Sequence, residues 1–529
     1  MRADGVLRAV KAERWVSRVL LIAVAFGALG LFVTLVHGIA MVLFPLQIDY
    51  AEGVCLQLAD TIARGQALYR DPSQYPWLVS PYTPLYLWTS AMLGKGFFAG
   101  RLISLVAALG CAALVAFATW RRGHAAAPAA ALTVFVCSAL FTQWSSYYRV
   151  DFLGLFWELA GLVMVERCLL EKRSIRSANS VGNTEPHGDS AQHGSDLKVV
   201  AAAAVLFTLA FYTKQTFVLG LVASVGTLWF VSRRDAIALA GASAVLLAIP
   251  YALIDYASGG YLYNLFFRYN AVPWSASYAW LWVSGYLRTV AAGILLALWW
   301  HLTRRSVWSV YFFLAVLTLI GVGRTGSYYN HFLPFHAAMA IGAGLAIGAL
   351  LGPEIRPREK TFSYGVVMGC VLLLVQVALG FYQPLRPTLE APAKTLTAEV
   401  PELLGGRFED RLNRLRGDVG TVARDLSQYP GPVFAENLGL PVLIGRPSIG
   451  CDPITLFTLA EIGLWDEKPL IKMIEKREIA VITLQRLTPD NPRVPPRILA
   501  RILQHYEPKF KIFDDTVLFP KAPAVGPSN

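Results

Sequence analysis

The 529-residue sequence predicts a mainly α fold: a polytopic transmembrane helical bundle of about 11 spans, followed by a small C-terminal α/β domain outside the cytoplasm. Three observations point there. Hydrophobic residues make up 55% of the chain and charged residues 16%, against about 45–50% and ~25% in soluble domains, and the mean hydropathy is +0.48. The apolar residues cluster in long runs that recur through residue 382 and then stop. Basic residues fall in alternate loops between those runs. Such a composition excludes a soluble enzyme, a disordered tail and a disulfide-rich secreted scaffold. The net charge of +12 would suggest nucleic acid on a soluble chain. On this chain it reads as basic cytoplasmic loops beside a lipid bilayer, and no nucleic-acid partner is expected.

A bilayer core of ~30 Å needs about 20 apolar residues per helix. Runs of that kind lie at 16–41, 101–120, 124–141, 150–168, 198–213, 215–232, 236–254, 281–301, 306–322, 334–352 and 361–382. The first is too long for a signal-peptide core and is expected to stay as an uncleaved helix. The N-terminus carries Arg2, Arg8, Lys11 and Arg14. Every second loop after it is basic: Arg121 and Arg122; Arg167, Lys172, Arg173 and Arg176; Arg233 and Arg234; Arg304 and Arg305; Arg356, Arg358 and Lys360. The positive-inside rule then sets the N-terminus in the cytoplasm and the multi-pass chain in the plasma (inner) membrane. Counting segment 84–94 as a span would invert every later loop, so it is expected to be an interfacial or re-entrant helix. Segment 171–197, rich in Ser, Gly, Asn and His, is expected to be a flexible cytoplasmic loop.

The remaining loops, at 42–100, 142–149, 214, 255–280 and 323–333, gather on the outer face with everything after 382. They carry the groups able to do chemistry. Asp49 and Glu52 follow the first span, and on a helix their spacing would put them on one face. Such a pair suits a general base with an orienting partner, or oxygen ligands for a divalent cation, Mg or Mn; no cofactor is assigned. Asp151 follows Arg149 at the outer start of the fourth span, where a carboxylate also suits a helix N-terminus. Lys214 occupies a tight outer turn against the charge bias. It either snorkels or captures a phosphate at headgroup level. Arg268 and Arg324 are candidates for the same phosphate. Tyr82, Arg149, Gln215, Asn330 and His331 complete the set as substrate-binding candidates. Glu158 sits mid-span, where an ionisable group is costly; a structural hydrogen bond to Tyr or Ser is as good a reading as a functional one. Cys55 and Cys451 lie in polar segments with their pairing open, and no CxxC or metal spacing occurs.

The order of these pieces resembles a known family. A first membrane helix is followed by a long outer loop with Asp49, Glu52 and Gly53, then Gly65, Leu68 and Tyr69, then Tyr82, Pro84, Leu85 and Tyr86. The GRLISL element at 100–105, Lys214–Gln215 and the NHFLP run at 330–334 continue the likeness. Over residues 15–350 the chain resembles polytopic glycosyltransferases of the C superfamily (GT-C), in the bacterial protein-mannosyltransferase-like and aminoarabinose-transferase-like branch. The resemblance implies an inverting transferase that takes a hexosyl or pentosyl unit from a polyprenyl-phosphate sugar lipid on the outer face. It passes that unit to a glycan, lipid or protein acceptor, with Asp49 as base. A strict DxD is absent, which leaves metal dependence open.

Residues 383–529 read as the small outer α/β domain, distinct from the membrane domain 1–382. Strands are expected at 432–436, 478–484 and 516–520, and helices at 407–427, 454–475 and 495–506. Glu436 and Asn437 end a strand, where α/β sites often lie, and Trp465 reads as packing. Two other activities stay in view: a different lipid-linked glycan enzyme such as an O-antigen ligase, and a transporter. The first would be expected to use a large late loop, and the second to show internal repeats; neither is visible here.

Overall fold

The computed structural model describes residues 2–522, apart from 121–123, 181–188, 271, 353–358, 386–389 and 405–406. Helices occupy every expected span. The first is α1 (Arg2–Leu43); the outer loop after it holds α2 (Tyr50–Ala63) and α3 (Pro84–Leu93), and α4 (Phe97–Trp120) returns to the bundle. The expected span 124–141 is two helices, α5 (Ala126–Val136) and α6 (Ala139–Trp144). Next come α7 (Asp151–Ser180), α8 (Asp189–Thr213), α9 (Leu219–Val231) and α10 (Arg233–Ala257). A single turn, α11 (Tyr261–Asn264), runs into a π-helical turn at Leu265–Tyr269, followed by α12 (Ala276–Thr303) and α13 (Val307–Gly321). A 3-10 turn at Tyr329–Phe332 leads directly into α14 (Leu333–Leu351), and α15 (Glu359–Tyr382) closes the bundle.

This is an integral membrane protein. Among the described residues, six helical stretches are long and apolar enough to cross a bilayer unaided, in α1, α4, α10, α12, α14 with its leading turn, and α15. The ten residues of α3 reach about 15 Å at ~1.5 Å each, half a bilayer core, so segment 84–94 is no crossing. Helix α14 lies at the centre, buried along almost its whole length. Its Ala and Gly residues let α5 and α12 approach closely, the usual means of packing helices without a hydrophobic drive between them.

Segment 171–197 departs from expectation. Helix α7 runs on to Ser180 and α8 starts at Asp189, because Glu, Lys, Arg and Ala there are good helix formers; the stretch between them, 181–188, lies outside the described residues, as do Arg121, Arg122, Arg356 and Arg358. Lys172 pairs with Asp235 at 2.9 Å, joining two loops that the charge alternation assigned to one side.

Beyond the bundle, α16 (Pro392–Leu404) and α17 (Arg407–Ser427) precede a small sheet. It consists of β1 (Val433–Ala435), α18 (Gly439–Leu443), α19 (Pro453–Glu461), α20 (Lys468–Glu475), β2 (Val481–Leu484), α21 (Pro496–His505), β3 (Tyr506–Ile512) and β4 (Asp515–Pro520). The strand order is β1-β2-β4-β3, with β1 and β2 parallel and the other pairs antiparallel. The expected helix at 454–475 is divided because Gly463, at φ +74°, ends α19. The expected helix at 495–506 is α21. Strand β3 was not expected. It is an edge strand whose middle is exposed, with Pro508 at a register shift; a polar, Pro-bearing edge carries no alternating apolar signal.

The outer loop and the C-terminal sheet share one core. Val54, Leu58 and Trp77 pack with Phe434, Trp465 and Ile482, and Trp465 meets Trp77 edge-on at 5.6 Å. The Trp77 N–H donates to Ile449 O at 2.7 Å, and the Cys451 N–H to Trp77 O at 2.7 Å. Cys55 and Cys451 are both free and buried.

One buried acid in this domain makes its stability pH-dependent. Asp515 accepts from Asn437 Nδ2 at 2.7 Å. Burial pushes its carboxyl up to about 7, and nearby Glu436 adds to the shift. A carboxyl raised in the folded state stabilises fully below its ordinary value of about 3.9 and loses that contribution as pH rises through the folded value. Asp515→Asn is therefore expected to gain unfolding temperature relative to the parent as pH rises from about 5 to about 8, read by thermal unfolding in detergent.

Candidate functional site

The outer loop is anchored by a buried ion pair. Asp49 caps α2 and Glu52 stands at its third position, forming a capping box. Glu52 is fully buried and meets the Arg101 guanidinium side-on: Nε to Oε1 at 2.8 Å and Nη2 to Oε2 at 2.7 Å. Its oxygens also accept the N–H groups of Ile48 at 2.7 Å and Tyr148 at 2.8 Å. Arg101 spends its remaining donors on the carbonyls of Met41, Phe44 and Leu46, at 2.6–2.9 Å. Burial alone would push the Glu52 carboxyl up, but Arg101 and the N–H groups outweigh it and hold the carboxyl below its ordinary value.

This arrangement revises the expected Asp49–Glu52 pair. Asp49 lies outside the helix as its cap, so the two do not share a face. The Glu52 oxygens are filled by protein donors, which gives Glu52 the geometry of an anchor. The two together therefore do not fit a divalent cation as arranged, since both Glu52 oxygens are committed to protein donors and Asp49 alone offers too few ligands. Among the described residues no group of three or more His, Cys, Asp or Glu is suited to hold a metal.

Asp49 begins a chain of alternating charges. One of its oxygens, Oδ2, accepts the Ala51 N–H at 3.1 Å and pairs with Arg149 Nη1 at 2.8 Å. Arg149 Nε reaches Asp151 Oδ2 at 3.3 Å, and its guanidinium lies 5.3 Å from the Trp144 ring centroid. Asp151, fully buried, accepts from Lys214 Nζ at 2.7 Å and Asn330 Nδ2 at 2.9 Å on Oδ1, and from Trp144 Nε1 at 3.2 Å on Oδ2. Local breaks in the helices bring these groups together. Ser138 caps α6 and redirects the chain so that Trp144 reaches Asp151; the turn after α8 holds Lys214, and the 3-10 turn holds Asn330.

The other candidates divide. Arg324 and His331 are close enough to interact electrostatically with each other, and His331 also with Lys214 and Asp151. Neither side chain has a hydrogen-bond or ion-pair partner among the described residues. Buried Asn330 Oδ1 and Gln215 Oε1 are likewise unpartnered. Tyr82 is within electrostatic range of Arg149 and Asp151, and burial pushes its phenol up; its carbonyl accepts from Tyr69 Oη at 2.9 Å, which ties two of the outer-loop motifs together. Arg268 stands apart: it is exposed on the π-helical turn, and the structure does not bring it to the charge chain. Glu158 accepts from Tyr311 Oη at 2.6 Å and from the Gly220 N–H at 2.8 Å, a structural hydrogen bond at the start of α9.

With this geometry described, known structures decide the fold. The crystal structure of ArnT from Cupriavidus metallidurans in the apo state superposes with a TM-score of 0.57 at 15% identity, covering 98% of this chain and 100% of that one. The chain has the fold of ArnT. The same protein bound to undecaprenyl phosphate superposes at 0.58 and 15% identity, over 96% of this chain and 99% of that one. The oligosaccharyltransferase of Archaeoglobus fulgidus aligns more loosely, with a TM-score of 0.47 at 12% identity over 90% of this chain and 73% of that one, too loose a fit to carry any argument. No family model and no curated sequence matches the chain.

Within this fold, sequence reading missed the role of Arg101. Its signal was available: a cation at the outer end of an apolar helix breaks the charge bias just as Lys214 does. Removing one member of a buried ion pair leaves the other unpaired, at a cost of about 3–5 kcal/mol. Arg101→Ala is expected to lower the unfolding midpoint in detergent severely or to abolish folded protein. Arg101→Lys, which keeps the charge without the fork, should fall between that variant and the parent.

Proposed function

We propose that the chain is a membrane glycosyltransferase that moves a hexosyl or pentosyl unit from a polyprenyl-phosphate donor to an acceptor hydroxyl on the extracytoplasmic face. In this reading the N-terminus is cytoplasmic, and the acceptor is a glycan, lipid or protein. The observation that carries it is the charge chain at the outer mouth of the bundle, ending beside an unpartnered cation. Asp49, Arg149, Asp151 and Lys214 cancel pairwise. Arg324 adds an uncompensated positive charge, which suits a lipid phosphate entering from between the helices.

Asp49 is the best-suited base: half-turned to solvent at 18% exposure, capping a helix, and held by Arg149. It takes the acceptor proton as the hydroxyl oxygen attacks C1 of the sugar. The C1–O bond to phosphate breaks, and the lipid phosphate leaves with the electron pair. Attack opposite the leaving group inverts the anomeric centre. Lys214 and Arg324 stabilise the charge growing on the phosphate, while Asp151 keeps Lys214 aimed. His331, Asn330, Gln215 and Tyr82 line the path with free polar atoms for sugar hydroxyls. The ArnT fold adds support, because a structure of that protein holds undecaprenyl phosphate.

The test is transfer in proteoliposomes supplied with a panel of undecaprenyl-phosphate hexoses and pentoses and native membrane extract as acceptor. Asp49→Asn is expected to lower turnover by ~10²–10⁴, and Arg324→Ala to weaken donor use mainly through KM. Transfer by Asp49→Asn at the parent rate would remove Asp49 from the role of base.

A further inference from the structure

Gln47 and Tyr50, on either side of Asp49, are gripped by the C-terminal domain. Gln47 Oε1 accepts the Gly439 N–H at 2.9 Å, while Gln47 Nε2 donates to Asn437 Oδ1 at 3.4 Å and back to Tyr50 O at 3.1 Å, closing the turn that carries Asp49. On the other side, Tyr50 Oη donates to Asp452 Oδ1 at 3.3 Å. The Arg493 guanidinium lies 3.8 Å from the Tyr50 ring centroid, well inside the range of a cation–π contact.

These gripping groups are themselves locked. Arg493 pairs with Glu436 at 3.0 Å and donates to Gln485 Oε1 at 2.7 Å. Buried Glu436 also accepts the Gln485 N–H at 2.9 Å and Asn491 Nδ2 at 3.1 Å. Asn437 is held from behind by Asp515 at 2.7 Å. The fit has no slack: a Cβ on Gly53 would lie 2.3 Å from Gln47 Oε1 and 2.8 Å from Gly439 N, and one on Gly439 would lie 2.6 Å from Gln47 Oε1. The glycine of the D-x-x-E-G motif is thus required where α2 meets α18.

We infer that Arg493 and Asn437 are positioning residues for Asp49, so that the C-terminal domain completes the active site by fixing the Gln47–Tyr50 turn. The inference rests on the reading of Asp49 as base. It does not require either residue to touch substrate. A base displaced by about 1 Å loses much of its effectiveness, and Arg493 and Asn437 act on this turn together with the Gly439 N–H and Asp452.

The test uses the full chain in detergent and needs no substrate for its first arm. Water-soluble carbodiimide labels carboxylates according to their freedom, and mass spectrometry reads each site. Arg493→Ala and Asn437→Ala are expected to raise labelling of Asp49 severalfold while Asp71, in the same loop, stays unchanged; Arg493→Ala also lowers the unfolding temperature, because it leaves buried Glu436 without its cation, whereas Asn437→Ala removes no charge. Arg493→Lys, which keeps a cation over the ring, should restore the parent pattern. In the transfer assay the same two alanine variants should lose about tenfold or more in kcat, with the KM for the lipid donor within about twofold of the parent. Unchanged Asp49 labelling overturns the proposal, as does an equal rise at Asp49 and Asp71, which would mean general loosening of the loop. Should Asp49→Asn transfer normally, the base assignment fails, while the labelling of Arg493→Ala still reports whether the grip exists.

Discussion

A charge at the edge of a bilayer survives only if its hydrogen-bonding capacity is met by protein, and the pairing of Glu52 with Arg101 meets that demand for the outer end of this bundle. Two ions with no exposure at all would be ruinous singly. Together they use a side-on guanidinium fork, three carbonyls of the α1 exit and three backbone N–H groups. The end of α1, the start of α2, the flank of α4 and the segment before α7 are thereby fastened at one point. Asp49 projects outward from that point, and Arg149 arrives one residue after Tyr148, whose N–H is held by Glu52.

From this anchor the charges alternate into the bundle: Asp49, Arg149, Asp151, Lys214. They come from three places, the cap of α2, the entry to α7, which supplies both Arg149 and Asp151, and the turn after α8, so the chain can form only when the loops converge. Its electrical neutrality matters for an anionic substrate, because a neutral relay neither repels a phosphate nor holds it in advance. The uncompensated positive charge lies beyond it, at Arg324, next to unpartnered His331 and Asn330 Oδ1. In the function we propose, the arrangement separates tasks by charge: the Asp49 carboxylate for the acceptor hydroxyl, and the Lys214 and Arg324 cations for the lipid phosphate.

The C-terminal domain is continuous with this site. Its sheet shares a core with α2, and its loops hold the residues on both sides of Asp49. A membrane bundle alone would leave the outer loop covered on one face only. The domain supplies the second face, with apolar contacts through Trp77 and Trp465 and polar ones through Gln47 and Tyr50. Bilayer packing fixes where the helices run, and the soluble sheet fixes how the loop between them is shaped.

Much of this was legible in the sequence because the signals are local or periodic. Apolar runs of bilayer length, alternating basic loops and the shift in composition at 382 determined the helices, the reading of 84–94 as no crossing, and three of the four strands. The same logic gathered Asp49, Arg149, Asp151, Lys214 and Asn330 onto one face, although it could not say which would touch. The separation of Glu52 from Asp49, the isolation of Arg268, the role of Arg101 and the edge strand β3 were decided only in three dimensions. The reason is physical: which distant donor satisfies a buried carboxylate depends on residues 49 to 179 positions away in the chain, and an edge strand or a helix cap is stabilised by neighbours that no local pattern encodes. Sequence determined which groups reach the membrane surface; tertiary packing decided which of them are consumed as anchors and which are left free to react.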